Sequence, residues 1–106
     1  MENQEVPKHF SEEAASLWQA VLNDYILDAS EKAILKVGIE AYDRCQECRK
    51  KIYEEGITIT DPSGRVRAHP ALQAEKQAAS VYLQASRLLG LGEEEARPVG
   101  RPGRFV

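Results

Sequence analysis

The sequence predicts a mainly α fold: two N-terminal helices, the second a long central one, then a β-hairpin and a C-terminal helix, in a chain that forms an oligomer. Three observations lead there. Apolar residues recur at helical spacing over three separate stretches, and each stretch opens on cap or first-turn residues. A short run of alternating β-branched residues brackets an Asp-Pro-Ser-Gly turn. The central helix is apolar on more than one side, as a helix covered by more than one neighbour must be. The chain divides into a flexible N-terminus over residues 1–10, one helical domain over 11–92 with the hairpin at about 57–68, and a flexible basic tail over 93–106.

The first helix is predicted over residues 12–27. Ser11 is the N-cap, and Glu12 and Glu13 sit at the positive end of the helix dipole. Phe10, Ala14, Leu17, Trp18, Val21, Leu22 and Tyr25 form its apolar stripe. Asp28, with Glu31 three residues on, has the form of a capping box and opens the second helix, which runs to Gly56 as its C-terminal glycine. At 1.5 Å per residue that helix is roughly 40 Å long.

Along it, Ile34, Gly38, Ala41, Cys45, Cys48 and Ile52 follow one another by steps of 4, 3, 4, 3 and 4, the spacing of a helix–helix seam. A second stripe of Leu35, Ile39 and Tyr42 lies beside it, with Val37 adding apolar surface. The seam is expected to serve as core and as oligomer contact, and Gly38 is read equally as room for a close helix or as a neutral accident. Cys45 and Cys48 form a Cys-x-x-Cys, which by itself admits a redox dithiol, or half a zinc site completed by His9 or His69. Redox pairs use a helix N-terminus and zinc knuckles use a turn, whereas these two sit mid-helix on the seam. The reading is two small buried hydrophobes and no metal.

Residues 57–60 and 65–68 make the hairpin strands around Asp61-Pro62-Ser63-Gly64, with Arg65 and Arg67 on one outer face. His69-Pro70 opens the third helix, Pro being suited to a first turn. Ala71, Ala74, Ala78, Val81, Ala85 and Leu88 give it an alanine-rich seam, and Gly90 and Gly92 end it. In the tail, Arg97, Arg101 and Arg104 are offset by Glu93–Glu95. Gly100-Arg101-Pro102 is similar to the core of a minor-groove-inserting hook, although Val99 stands where a basic residue is expected. The simpler reading is a solvated tail or a docking peptide.

Composition excludes several function classes. With 106 residues, 42% apolar, 29% charged and a net charge of −3, the chain has no global pull toward nucleic acid or membrane. No apolar run approaches the roughly 20 residues of a membrane span, and the first ten residues lack the apolar core of a signal peptide. Two cysteines and no export signal point to a reducing cytoplasm. No phosphate-cradling Gly-rich loop is present. The serines (Ser11, Ser16, Ser30, Ser63, Ser80 and Ser86) have no neighbouring His to activate them. A non-catalytic protein without a cofactor is expected.

Three stretches together, "VPKHFSEEAASLWQAVLNDY", "AYDRCQECRKKIYEEG" and "ITITDPSGRVRAHPALQAEKQAASVYLQASRLLGLG", resemble the short helix, long helix, hairpin and helix branch of phage terminase small subunits. The likeness covers roughly residues 7–91 and is densest at Leu17-Trp18, at the Gly56 hairpin leading into "AHPA", and at the closing "LLGLG". It implies a non-enzymatic viral DNA-packaging factor of the host cell cytoplasm, a homo-oligomeric ring of roughly eight to twelve subunits. It further implies recognition of double-stranded viral DNA at the packaging start, and recruitment and regulation of the terminase large subunit, which carries the ATPase and nuclease. Many such proteins have a separate N-terminal helix-turn-helix, for which the ten residues before Ser11 leave no room here. DNA contact then falls to Arg65 and Arg67 of the hairpin, to Arg44, Arg49, Lys50 and Lys51 of the long helix, or to Arg97, Arg101 and Arg104. Glu47 already balances part of the long-helix cluster. The alternative reading is a helical adaptor that joins proteins and ignores DNA.

Overall fold

The computed structural model describes residues 5–92. Helix α1 spans Glu12–Asp24, α2 spans Ala29–Glu55, strands β1 and β2 span Thr58–Thr60 and Val66–Ala68, and α3 spans Pro70–Leu89. The fold is mainly helical, with one antiparallel hairpin, as the residue spacing predicts.

Each helix begins where its capping chemistry is. The Ser11 hydroxyl accepts from the Ala14 N–H at 3.0 Å, and the Asp28 carboxylate accepts from the Glu31 N–H at 2.8 Å while the Glu31 carboxylate accepts from the Asp28 N–H at 2.9 Å. This reciprocal box satisfies two donors that the first turn leaves over. Helix α1 ends three residues earlier than the stripe predicts, at Asp24 rather than Leu27. An Asp in the last turn opposes the dipole, and α2 needs Asp28 in extended geometry as its cap, so residues 25–28 become an elbow. Helix α3 closes on Gly90 in the left-handed region (φ 72°, ψ 25°), with Leu91 N–H donating to Ser86 O and Gly90 N–H to Arg87 O.

α2 and α3 pair along most of their length, and α1 lies across the N-terminal half of α2. Ala14, Trp18, Val21, Leu27, Leu35, Ile39 and Leu89 form the core, which therefore sits at one end of a molecule 56 × 29 × 21 Å. Within the described residues, the segment before α1 makes specific contacts. Val6 and Phe10 pack on the core, Phe10 meets Trp18 edge-on at 5.7 Å, and His9 Nε2 lies 2.8 Å from Glu40. Asp43 of α2 accepts from the Ser11 N–H and hydroxyl, tying the start of α1 to the middle of α2.

The hairpin stands at the opposite end from the core. Its register pairs Thr58 with Ala68, Ile59 with Arg67 and Thr60 with Val66. The Asp61 carboxylate closes the turn by accepting from Ser63 N–H at 3.0 Å, Ser63 Oγ–H at 2.6 Å and Arg65 N–H at 2.9 Å. Gly64, at φ +90°, takes the backbone conformation that a side chain would disfavour.

Candidate nucleic-acid interface

The seam residues of α2 divide between two neighbours. Leu35 and Ile39 join the core with α1, and Gly38 faces α3, where a Cβ would come 2.7 Å from the Ala85 Cβ. Ala41 is buried, and the Tyr42 ring meets Tyr82 of α3 at 5.5 Å. Burial, with Glu13 nearby, pushes the Tyr42 phenol above its ordinary value. Ile34, Cys48 and Ile52 are half-buried. The seam thus packs against the chain's own α3 over this length.

Cys45 is buried, with Sγ 3.9 Å from Glu75 Oε2. Burial raises its thiol pKa, the opposite of what a nucleophilic or metal-binding thiolate needs. Neither histidine stands near the pair as a ligand. His9 is tied to Glu40, and His69 caps α3 and meets Glu55. Among the described residues no group of three His, Cys, Asp or Glu is placed to hold a metal, and no helix is long and apolar enough to cross a membrane.

The basic candidates gather on the half of the molecule away from the core, for a simple reason: α1 covers α2 only from its N-terminus to its midpoint, where Ser11 meets Asp43, and beyond it α2 carries its cations into water. Two of the six are engaged. Arg49 Nε donates to Glu75 Oε2 at 2.8 Å, which holds the guanidinium even further above its usual pKa. Lys51 Nζ lies 3.2 Å from Glu55 Oε2. The same carboxylate takes His69 Nε2 at 2.8 Å on its other oxygen. The hydrogen bond from His69, then that from Lys51, holds the Glu55 carboxyl below its ordinary range. Arg44, Lys50, Arg65 and Arg67 make no ion pair among the described residues. All four are exposed.

Pairing opposite Ile59 puts Arg67 on the same hairpin face as the one half-buried strand residue, rather than on a face turned away from it. The Asp61 carboxylate, held well ionised chiefly by Ser63, fixes the backbone that carries Arg65. Arg97, Arg101 and Arg104, with the whole 93–106 tail, lie outside the described residues. The six remaining cations form an exposed spread of positive charge over the C-terminal half of α2 and the hairpin.

Two contributors to this end were not foreseen. Glu75 neutralises Arg49 from another helix, which no spacing along α2 reveals. His69 is the α3 cap: its Nδ1 accepts from Ala71 N–H at 3.0 Å. The His-Pro pair was the signal for it, since the residue before a first-turn proline stands where a cap is needed.

A sequence model of one protein family, described as phage terminase, small subunit, matches residues 14–101. No curated protein and no solved structure matches the chain.

Proposed function

The chain belongs to the phage terminase small-subunit family, and from that premise we propose that it is the non-catalytic subunit of a viral DNA-packaging terminase in the host cytoplasm. In this reading it assembles into a ring, contacts double-stranded viral DNA at the packaging start, and recruits and regulates the large ATPase–nuclease subunit. The family match across most of the chain carries the reading. The cations Arg44, Lys50, Arg65 and Arg67, which make no ion pair among the described residues, support it, because each can displace a counterion from a phosphate without first breaking an internal ion pair.

A duplex-DNA titration over a range of salt tests it, alongside native mass spectrometry of the protein. The proposal expects one closed oligomer and an affinity that falls steeply with salt. The ion pairs Arg49–Glu75 and Lys51–Glu55 favour a second reading, a helical adaptor in which two of the six cations at this end are already satisfied internally. That adaptor would oligomerise with no change in duplex mobility at any salt.

A further inference from the structure

A groove runs between the first turns of α1 and the helices it faces, lined by Glu12, Glu13, Ser16, Leu17, Tyr42 and Tyr82. Leu17 and the two tyrosines, all half-buried, give it an apolar, aromatic wall. The two rings stand 5.5 Å apart and are tilted by 54°. Glu12 and Glu13 are exposed at the rim and make no ion pair among the described residues. No cation among the described residues lines the groove. Asp43 adds a negative charge beside Tyr42, and Arg49, whose charge reaches the same ring, is already paired with Glu75. The charge at this place is therefore negative.

Carboxylates beside paired aromatic rings suit an extended peptide that carries arginine and proline. A guanidinium stacks on a tyrosine face and pairs with a carboxylate, while prolines in an extended helix pack on aromatic walls. Residues 96–106, "ARPVGRPGRFV", are such a segment: Arg-Pro recurs four residues apart, and no acidic side chain is present. The last described residues lead to the groove. Leu91 shares an apolar hollow with Leu17 and Tyr82, and the Gly92 N–H donates to the Tyr25 hydroxyl at 3.3 Å. From the elbow, α1 runs back to Glu13 over roughly 17 Å. At about 3.3 Å per residue, Arg97 comes within about 17 Å of Gly92 and Arg101 within about 30 Å. On such a path Glu93–Glu95 fall in the first ~10 Å, short of the rim carboxylates.

We infer that residues 96–106 fold back along α1 and seat their Arg-Pro pairs in this groove of their own chain. The guanidinium groups meet Glu12 and Glu13, and the prolines meet Tyr42 and Tyr82. Docked there, Arg97 and Arg101 are withheld from phosphates. The inference goes beyond the packaging reading and stands without it, since it draws only on the chain's own charge and reach.

Two measurements on the full-length protein test it. In Arg97→Lys and Arg101→Lys proteins, a water-soluble carbodiimide is expected to join residue 97 or 101 to Glu12 or Glu13, read by peptide mass. When isotopically heavy and light chains are refolded together, these links stay within chains of one mass. Next, a labelled peptide of residues 96–106 is titrated onto the parent and onto the triple variant Arg97→Ala, Arg101→Ala and Arg104→Ala. The tethered tail acts at an effective concentration near millimolar, so the parent should bind the peptide at least about tenfold more weakly than the variant. Adding Glu12→Gln and Glu13→Gln to the variant should remove most of that binding. A missing link, links that mix heavy with light chains, a peptide that fails to distinguish parent from variant, or binding that survives the two glutamine substitutions overturns the inference.

Discussion

Gly38 of α2 and Ala85 of α3 approach so closely that a Cβ on residue 38 would lie 2.7 Å from the Ala85 Cβ. This pair marks the point where the two helices come together, and it sets two opposing effects of one substitution against each other. In an isolated helix Gly38→Ala would gain about 1 kcal/mol of helix propensity. Here the new methyl meets a Cβ fixed to backbone, and overpacking of that kind costs about 1–3 kcal/mol. The clash is expected to win, with a loss of about 1 kcal/mol and a melting temperature lower by about 4–8 °C. Gly38→Ala with Ala85→Gly returns the space, so a double-mutant cycle should show favourable coupling. A Gly38→Ala protein that melts higher than its parent would contradict the packing described.

Gly38 also shows which features a sequence reveals. A glycine amid four-three steps marks a close approach, but not whether the approaching helix is the chain's own or another's; the answer lies in the fold, where α3 returns antiparallel. The caps Ser11, Asp28 and Gly90 were legible because their chemistry is local. The end of α1 was not, because Tyr25 and Leu27 keep the helical stripe while serving an extended elbow. Arg49 and Lys51 look alike in the cluster. Lys51 has its partner Glu55 at i+4, within local reach, whereas Arg49 is neutralised by Glu75, 26 residues away.

The Glu55–His69 pair joins the end of α2 to the start of α3. Because the Ala71 N–H occupies Nδ1, the imidazole proton sits on Nε2 and points at Glu55. His69→Ala removes the α3 cap and should cost about 0.5–2 kcal/mol, while His69→Asn, which can cap, should recover part of it. The pH dependence has a definite sign. A carboxyl whose folded pKa is depressed contributes stability above its unfolded pKa, and that contribution is lost as pH falls through the folded value. Glu55→Gln should therefore lower stability at neutral pH, and its gap to the parent should narrow below the ordinary value of 4.5. Thermal melts of both proteins from neutral to acid pH check it, and a gap that widens in acid would refute it.

Cys45 and Cys48 are separated by their surroundings rather than by spacing. Cys45 is buried, and its thiol is shifted up mainly by burial, with Glu75 opposing ionisation further. Cys48 is half-buried. Alkylation of the native protein, followed by peptide mass, should label Cys48 first and Cys45 only as the protein unfolds. Equal rates would mean that α2 and α3 open locally around Cys45 and that its burial does not protect it.

The basic end gives the most discriminating prediction for function. If the cations meet DNA phosphates, each contact removed lowers the slope of log affinity against log salt by about 0.9. The structure ranks them. Lys50, Arg65 and Arg67 have no carboxylate partner among the described residues, so Lys50→Ala, Arg65→Ala and Arg67→Ala should each reduce affinity and slope together, similarly across unrelated duplexes. Glu75 at 2.8 Å already offsets the charge of Arg49, and Glu55 that of Lys51, so each has less net charge to offer a phosphate. Arg49→Ala and Lys51→Ala should thus change the slope less. Glu75→Gln should strengthen binding by freeing Arg49, and that gain should shrink in an Arg49→Ala background, where only the general change of charge remains. Fluorescence anisotropy on a labelled duplex between about 50 and 200 mM salt reads all of these on one scale. Slopes unchanged across all five alanine variants would mean that this end is a solvated face and that DNA is held elsewhere or not at all. An Arg49→Ala loss as large as that of Arg67→Ala would instead show that DNA displaces Glu75 at little cost.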